Sequence, residues 1–297
     1  EVNGILAAFL PGEAGGGAAF DILSGAVNPS GKLAETFPER LCDTPAFLTF
    51  PGEGNYSFYG EGLFVGYRYY DKKRVNPLFC FGHGLSYTDF VYSALHVNKT
   101  SFLDNEDVYV DINISAAGKM AGKEVVQIYI APDEQTAAKG VIRPIKELKA
   151  FKKIQLSPGE TKTLNFRLSY RDFAYYDAEN KSWRVRSGKY TILAGSSSRD
   201  IRSETSIEIT STFIEKKLIT RDTLLSDMAA SEAGKKVLND LLMSVNTKMR
   251  DKAGDKAGDD EAYMKMVLSM PIKVLILVGV PAEQIDGIIN KLNETQA

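Results

Sequence analysis

Between residues 88 and 210 apolar and polar positions alternate with a period of two, which places successive side chains on opposite faces of a strand. The clearest case sets Val108, Val110, Ile112 and Ile114 against Tyr109, Asp111, Asn113 and Ser115. Similar short runs are FVYSALHV, DVYVDINIS, EVVQIYIA, KKIQLS, KTLNFRLS, RVRSGKYTILAG and RSETSIEIT. Gly, Pro, Asp and Asn separate them, and Pro158-Gly159 and Asp177–Asn180 carry turn chemistry. The pattern predicts an antiparallel β-sandwich of about seven strands.

The start of the chain reads differently. GILAAFL at 4–10 is a continuous apolar run, the mark of a parallel strand covered on both faces. After PGEAGGG, the residues Ala19, Ile22 and Leu23 fall at helical spacing, and Gly25 supplies the stop. One strand–loop–helix unit is predicted. Such a unit cannot cover its own strand, so more sheet is expected upstream of Glu1. Residues 41–87 are rich in Gly, Pro and aromatics with little periodicity. So many Tyr and Phe do not suit a solvated linker, and an ordered connection packed against its neighbours is expected.

Past residue 215, LLSDMAASEAGKKVLNDLLMSVNTKM reads as helical and KAGDKAGDDEA as a solvated spacer. Pro281 then opens a helix in which Ile285, Ile288, Ile289 and Leu292 form an i, i+3, i+4, i+7 stripe. The run VLSMPIKVLILVGV is interrupted by Pro271 and Lys273, is too short to cross a bilayer, and reads as core.

Composition narrows the function classes. The 297 residues are 44% hydrophobic and 25% charged, as in an ordinary globular protein, with a formal net charge of −2. That charge gives no electrostatic footprint for nucleic acid or an anionic membrane. Two cysteines, Cys42 and Cys80, make no disulfide framework and suggest free thiols in a reducing, cytoplasmic compartment. Asn-x-Ser/Thr triplets begin at Asn55, Asn98, Asn113 and Asn293, a pattern common by chance. The opening EVNGILAAFLPGEAGG has no positive n-region and no cleavage site, so it reads as the inside of a domain rather than a signal peptide.

Several long motifs in one order carry a resemblance. PGEAGGGAAFDILSGAVNPSGKLAETFP at 11–38 is similar to the last βα unit of the second domain of family 3 glycoside hydrolases. FYGEGLFVGYRYYD at 58–71 resembles the connecting motif of that family, and PLFCFGHGLSYTDF at 77–90 its PLFPFGxGLSYTxF, with Cys80 where Pro is usual. GKEVVQIYI, RPIKELKAFKKIQLSPGE, RDFAYYDAENKSWRV and GKYTILAGSSSRDI, spread over 122–201, resemble its fibronectin type III-like domain. The helical tail is similar to an extension found in some bacterial members. The resemblance implies a mixed fold: the terminal βα unit of an α/β sandwich (1–40), a connecting segment (41–87), a fibronectin type III-like antiparallel β-sandwich (88–210) and a small α-helical tail (211–297).

For function, the resemblance implies the C-terminal part of a retaining β-glucosidase that removes terminal β-linked glucose from oligosaccharides or glycosides. Retention needs two carboxyl groups about 5–5.5 Å apart. The resemblance places the nucleophilic Asp in a barrel and the acid/base Glu earlier in the second domain, both upstream of Glu1. The chain alone is therefore expected to be inactive, to need the N-terminal barrel as partner, and to use no cofactor.

Among the residues present, four are candidates for the edge of the sugar pocket. Gly15 and Gly16, with Glu13 just before them, sit in the loop at the carboxyl end of the predicted strand, where open α/β sheets bind ligands. The glycine spacing matches no phosphate-binding fingerprint, and close helix–sheet packing is the simpler reading. Glu61 lies among Tyr56, Phe58, Tyr59, Phe64 and Tyr67; it reads as a pocket carboxylate or as a structural anchor that satisfies buried backbone or pairs with Arg68, and Asp71 is read in the same way. His83 and His96, with two scattered cysteines, make no zinc set. Trp183, with Tyr175 and Tyr176, suggests a carbohydrate-stacking platform, but a core or turn-packing role is the plainer expectation. The rival to a hydrolase is a free-standing carbohydrate-binding or interaction module, which would have to leave an unpaired strand edge and an apolar face in water.

Overall fold

The computed structural model describes residues 2–137, 141–178, 180–213, 218–229, 231–241, 261–277 and 279–295. The chain divides into two compact units, Glu1–Phe213 and Ile214–Ala297. Within the first, strands β1 (Phe90–Tyr92), β2 (His96–Val97), β3 (Ser101–Leu103), β4 (Val108–Ala116), β5 (Gly122–Pro132), β6 (Glu147–Leu156), β7 (Thr161–Leu168), β8 (Tyr175–Asp177), β9 (Ser182–Arg184), β10 (Gly188–Gly195) and β11 (Ile201–Thr210) build a sandwich and a ribbon. One sheet centres on β4, which pairs antiparallel with β1 and β2 and with β7. The other runs β3-β11-β10-β5-β6, antiparallel except for the parallel pair β3–β11. β8 and β9 form a separate two-stranded ribbon.

The alternation along β4 is what closes the sandwich. Val108, Val110, Ile112 and Ile114 are buried against Val126, Ile128 and Ile130 of β5 and Ile192 of β10 in one continuous core. On the solvent face, the register aligns polar residues opposite one another. Asn165 Nδ2 donates to Asp111 Oδ1 (2.6 Å), Thr163 Oγ1 donates to Asn113 Oδ1 (2.7 Å), and the Ser115 and Thr161 hydroxyls bond at 2.7 Å. Each such cross-strand pair contributes roughly 0.2–1 kcal/mol and fixes the register.

Strand β5 departs from alternation. Gln127 and Tyr129, on the face away from the core, are also buried. Segment 67–84 covers that face: the Phe81 and Tyr67 rings stack at 5.0 Å, and Tyr67 meets Tyr129 edge-on at 5.9 Å. Gly82 (φ +81°) lies against Gln127 so closely that a Cβ would come within 2.5 Å of the amide oxygen. The expected packing of the connecting segment therefore holds for its second half, whereas Leu48, Phe50, Tyr56, Phe58 and Tyr59 are exposed.

The N-terminal unit differs from expectation in one respect. Helix α1 (Gly15–Leu23) forms and is closed by Gly25 (φ +78°), whose N–H donates to Ile22 O at 3.0 Å. Residues 4–10 form no strand, and among the described residues none pairs with them. The physical reason is the one that made the run apolar. A strand needs a hydrogen-bonded neighbour, and without one Ile5, Phe9 and Leu10 (97% exposed) stand in water. The helix α1 likewise buries no side chain.

In the second unit the Pro281 reading holds: a helix spans Ala282–Thr295, with Ile285, Ile289 and Leu292 buried and Ile288 packed at the margin. Ile272, Leu275 and Val280 join the same core, together with Leu238 and Leu241 from helical residues 232–241. Among the described residues no helix is long and apolar enough to cross a membrane. The spacer KAGDKAGDDEA and the end of the helical run before it lie outside the described residues, apart from 261–262.

In hydrogen exchange, amides of residues 2–12 are expected to exchange at close to unprotected rates while β4, β5 and β10 exchange slowest. Comparable protection in both regions would contradict an unpaired N-terminal run.

Candidate functional site

The site is built around helix α2 (Tyr67–Lys73), two turns that follow Gly66 and stop at Arg74 in the left-handed conformation (φ 59°). Residues three and four apart share a helix face, and α2 has two such faces. Tyr67, Tyr70 and Asp71 are buried. On the opposite side, Tyr69, Lys72 and Lys73 line a hollow of about 410 Å³, completed by Pro45, Leu48, Thr49, Gly60, Glu61 and Phe64.

The buried face is bound to the sandwich by charge and hydrogen bonds. Asp71, 7% exposed, accepts from Lys146 Nζ (2.5 Å, Oδ2) and pairs with Arg199 Nε (2.8 Å, Oδ1). Tyr67 Oη accepts the Leu148 N–H at 2.8 Å, at the edge of β6. Arg68 reaches Glu147 (3.3 Å), a carboxylate also approached by Arg143 (3.7 Å) and Lys149 (3.5 Å). Burial holds the Lys149 ammonium below the usual lysine range, and Glu147 opposes that shift. Beneath the helix, burial pushes the Tyr129 phenol up, so it stays a donor and binds Gln127 Oε1 at 2.5 Å; Gln127 Nε2 in turn donates to Ser196 O at 2.7 Å.

Asp71 thus has the anchoring role. Glu61 lines the hollow but does not pair with Arg68, whose partner is Glu147. Glu13, Gly15 and Gly16 do not contribute to the wall of the hollow. Gly12 (φ +73°) turns the chain into α1, and Gly15–Gly17 lie within the first turn of that helix. His83 stacks on Phe79 at 5.3 Å, where segments 33–37 and 78–83 are joined by backbone hydrogen bonds. Burial, then the charge of Lys32, keeps its imidazole below the usual histidine range. Trp183 is not a core residue: it is 42% exposed on the outer face of the β8–β9 ribbon, with the Arg171 guanidinium 3.3 Å above its ring and Tyr176 at 5.3 Å. The ribbon pairs with neither sheet, and although its flanking Ala174 and Val185 join the core, the Trp183 ring does not. Cys42 and Cys80 are in no disulfide, and Cys80 Sγ donates to Ser197 Oγ at 3.4 Å. Among the described residues no three His, Cys, Asp or Glu side chains form a metal-holding group.

The first unit thus joins a helical, aromatic-rich segment to an antiparallel β-sandwich. The family profile "Glycosyl hydrolase family 3 C-terminal domain" matches residues 1–87, and the "Fibronectin type III-like domain" profile matches residues 124–198. The thermostable β-glucosidase B of Acetivibrio thermocellus is 42% identical over all of this chain, which spans 39% of that protein. The crystal structure of a Bifidobacterium adolescentis GH3 β-glucosidase superposes with a TM-score of 0.64 at 35% identity, over 76% of this chain and 32% of that one. That of a Kluyveromyces marxianus β-glucosidase in complex with glucose gives 0.61 at 40% identity, over 67% and 23%. The chain belongs to glycoside hydrolase family 3, as its C-terminal portion, and it spans well under half the length of these relatives.

Two outcomes follow from the geometry. Asp71→Asn leaves Lys146 and Arg199 facing an uncharged amide and is expected to destabilise the first unit by about 3 kcal/mol, a fall in Tm of roughly 6–12 °C; a calorimetric scan checks it. For His83 the folded-state pKa is depressed. As pH falls below about 6.5 the unfolded chain takes up the proton first, so stability is lost until the folded imidazole also charges. His83→Gln is therefore expected to lose less Tm than the parent between pH 7.5 and pH 5.5.

Proposed function

We propose that this chain supplies the end of the second domain and the fibronectin type III-like domain to a retaining β-glucosidase, which removes terminal β-linked glucose from oligosaccharides or glycosides. The observation that carries this reading is where apolar surface is left bare. Ile5, Phe9, Leu10, Phe20, Leu23, Leu48 and Phe50 are exposed within the first fifty residues, whereas the sandwich buries its own core. Apolar exposure concentrated in one stretch of a chain supports an interface with another body. In the relatives, the further length that this chain does not span is available to cover it.

In this reading the catalytic carboxylates come from the covering part, and the chain contributes the rim of the sugar pocket. Glu61 supplies an acceptor for hydroxyl groups beside the apolar wall of Leu48 and Phe64, a combination suited to a pyranose ring. Glu13 and Gly16, exposed at the start of α1, with the half-buried Gly15 between them, form a second part of that rim. Two unpaired thiols favour a reducing compartment such as the cytoplasm.

The purified chain is expected to show no turnover of an aryl β-glucoside, and a full-length polypeptide carrying it is expected to be active. Saturable hydrolysis by the chain alone would overturn the reading.

A further inference from the structure

We infer that Asp71 is a positioning residue through which the fibronectin type III-like sandwich sets the geometry of the Glu61 hollow. The inference rests on the reading of that hollow as part of the sugar pocket. Its physical basis is the two-faced helix α2. A seven-residue helix moves as a rigid body, and whatever fixes Tyr67, Tyr70 and Asp71 on one side also fixes Tyr69, Lys72 and Lys73 on the other. The fixing groups belong to the sandwich. Lys146 precedes β6, Arg199 lies in the loop between β10 and β11, and both reach one buried carboxylate from different elements. Arg199 Nη2 also donates to Val75 O at 3.1 Å, just past the end of α2, so one guanidinium holds the helix and the chain leaving it.

Among the described residues no ion pair holds the wall of the hollow before α2 in the same way. Leu48 on that wall is exposed, as are Tyr59 and Leu63 next to Gly60 and Phe64, and Glu61 is not held by Arg68. The loop bearing Glu61 enters α2 through Gly66 (φ +57°). The position of the helix therefore decides where Glu61 and Phe64 stand relative to Tyr69. Loosening the clamp displaces the wall of the hollow without touching a group that contacts substrate. Such a change weakens ground-state and transition-state binding together, which raises KM while leaving kcat in place.

Arg199→Met tests this, because Arg199 is the more solvent-exposed partner and its loss is better tolerated than that of Asp71. In the present chain, amides of residues 67–75 are expected to exchange at least ten-fold faster in Arg199→Met, with β4 and β10 unchanged. In a full-length enzyme, KM for an aryl β-glucoside is expected to rise about ten-fold with kcat within about two-fold. Arg199→Lys should restore most of the change, and Arg221→Ala, which breaks an exposed pair with Asp286 in the second unit, should alter neither constant. Unchanged exchange at 67–75, or a loss spread evenly over the sandwich, overturns the clamp. Faster exchange with an unaltered KM, or a fall in kcat alone, overturns the positioning role. If the parent full-length enzyme hydrolyses no glucoside, the function reading fails while the exchange result still decides the clamp.

Discussion

A carboxylate taken out of water must find its counter-charges within a few ångströms, and in this protein Asp71 finds two, both supplied by the sandwich. That requirement orients α2, and α2 orients the rest of the connecting segment. With Asp71 between Lys146 and Arg199, Tyr67 stacks on Phe81 and accepts the Leu148 amide. Next to Phe81, Gly82 lies against Gln127. Apolar contacts alone would allow the helix to slide, since the hydrophobic effect has no preferred direction. The ion cluster is directional. A buried pair of this kind is weak as a source of net stability and better understood as a device that selects one register among several.

The same logic explains why one half of the first unit is well packed and the other is not. The sandwich buries both inner faces with its own residues, and its polar ladder on β4 and β7 is complete. In the segment from residue 2 to about 65, residues 28–37 are held by the sandwich and by segment 78–87, whereas Ile5, Phe9, Leu10, Leu48, Phe50 and Tyr59 stand exposed. Exposed apolar surface of that extent is unfavourable at roughly 25 cal/mol per Å². In the reading proposed above, the rest of a longer enzyme covers it. The run at 4–10 carries the apolar pattern of a parallel strand, yet among the described residues no strand pairs with it.

Hydrophobic periodicity is a statement about burial, and this determines which elements could be read in advance. Strand β4 was legible because its two faces meet different environments, core and water. Strand β5 has Gln127 and Tyr129 buried as well as Val126, Ile128 and Ile130, and its run VVQIYI already hinted at a second cover without naming it. Strand β3 and the β8–β9 ribbon are three residues per strand, too short for a period to emerge. Trp183 misleads for a related reason: a large aromatic side chain in a sandwich is usually interior, but the ribbon that holds it is outside both sheets. The clamp was illegible altogether. Nothing local to FYGEGLFVGYRYYD indicates that Asp71 will meet a lysine from RPIKELKAF and an arginine from GSSSRDI, because those encounters are set by the fold of the intervening strands.

That last point bears on what a fibronectin type III-like domain does beside a hydrolase fold. The cations that neutralise Asp71 are on a loop and a strand edge of the sandwich, and those that surround Glu147 come from α2, from the segment before β6 and from β6 itself. Charge is exchanged across the seam in both directions: the segment offers a carboxylate to the sandwich and the sandwich offers one back to Arg68. Neither side is electrostatically complete without the other. A domain that served only as a spacer would require no such reciprocity, and an apolar seam would hold it as well. The reciprocal arrangement makes sense when the position of α2, and not just its attachment, has to be reproduced in every molecule. The face of α2 that requires it is the one carrying Tyr69, Lys72 and Lys73 into the hollow beside Glu61.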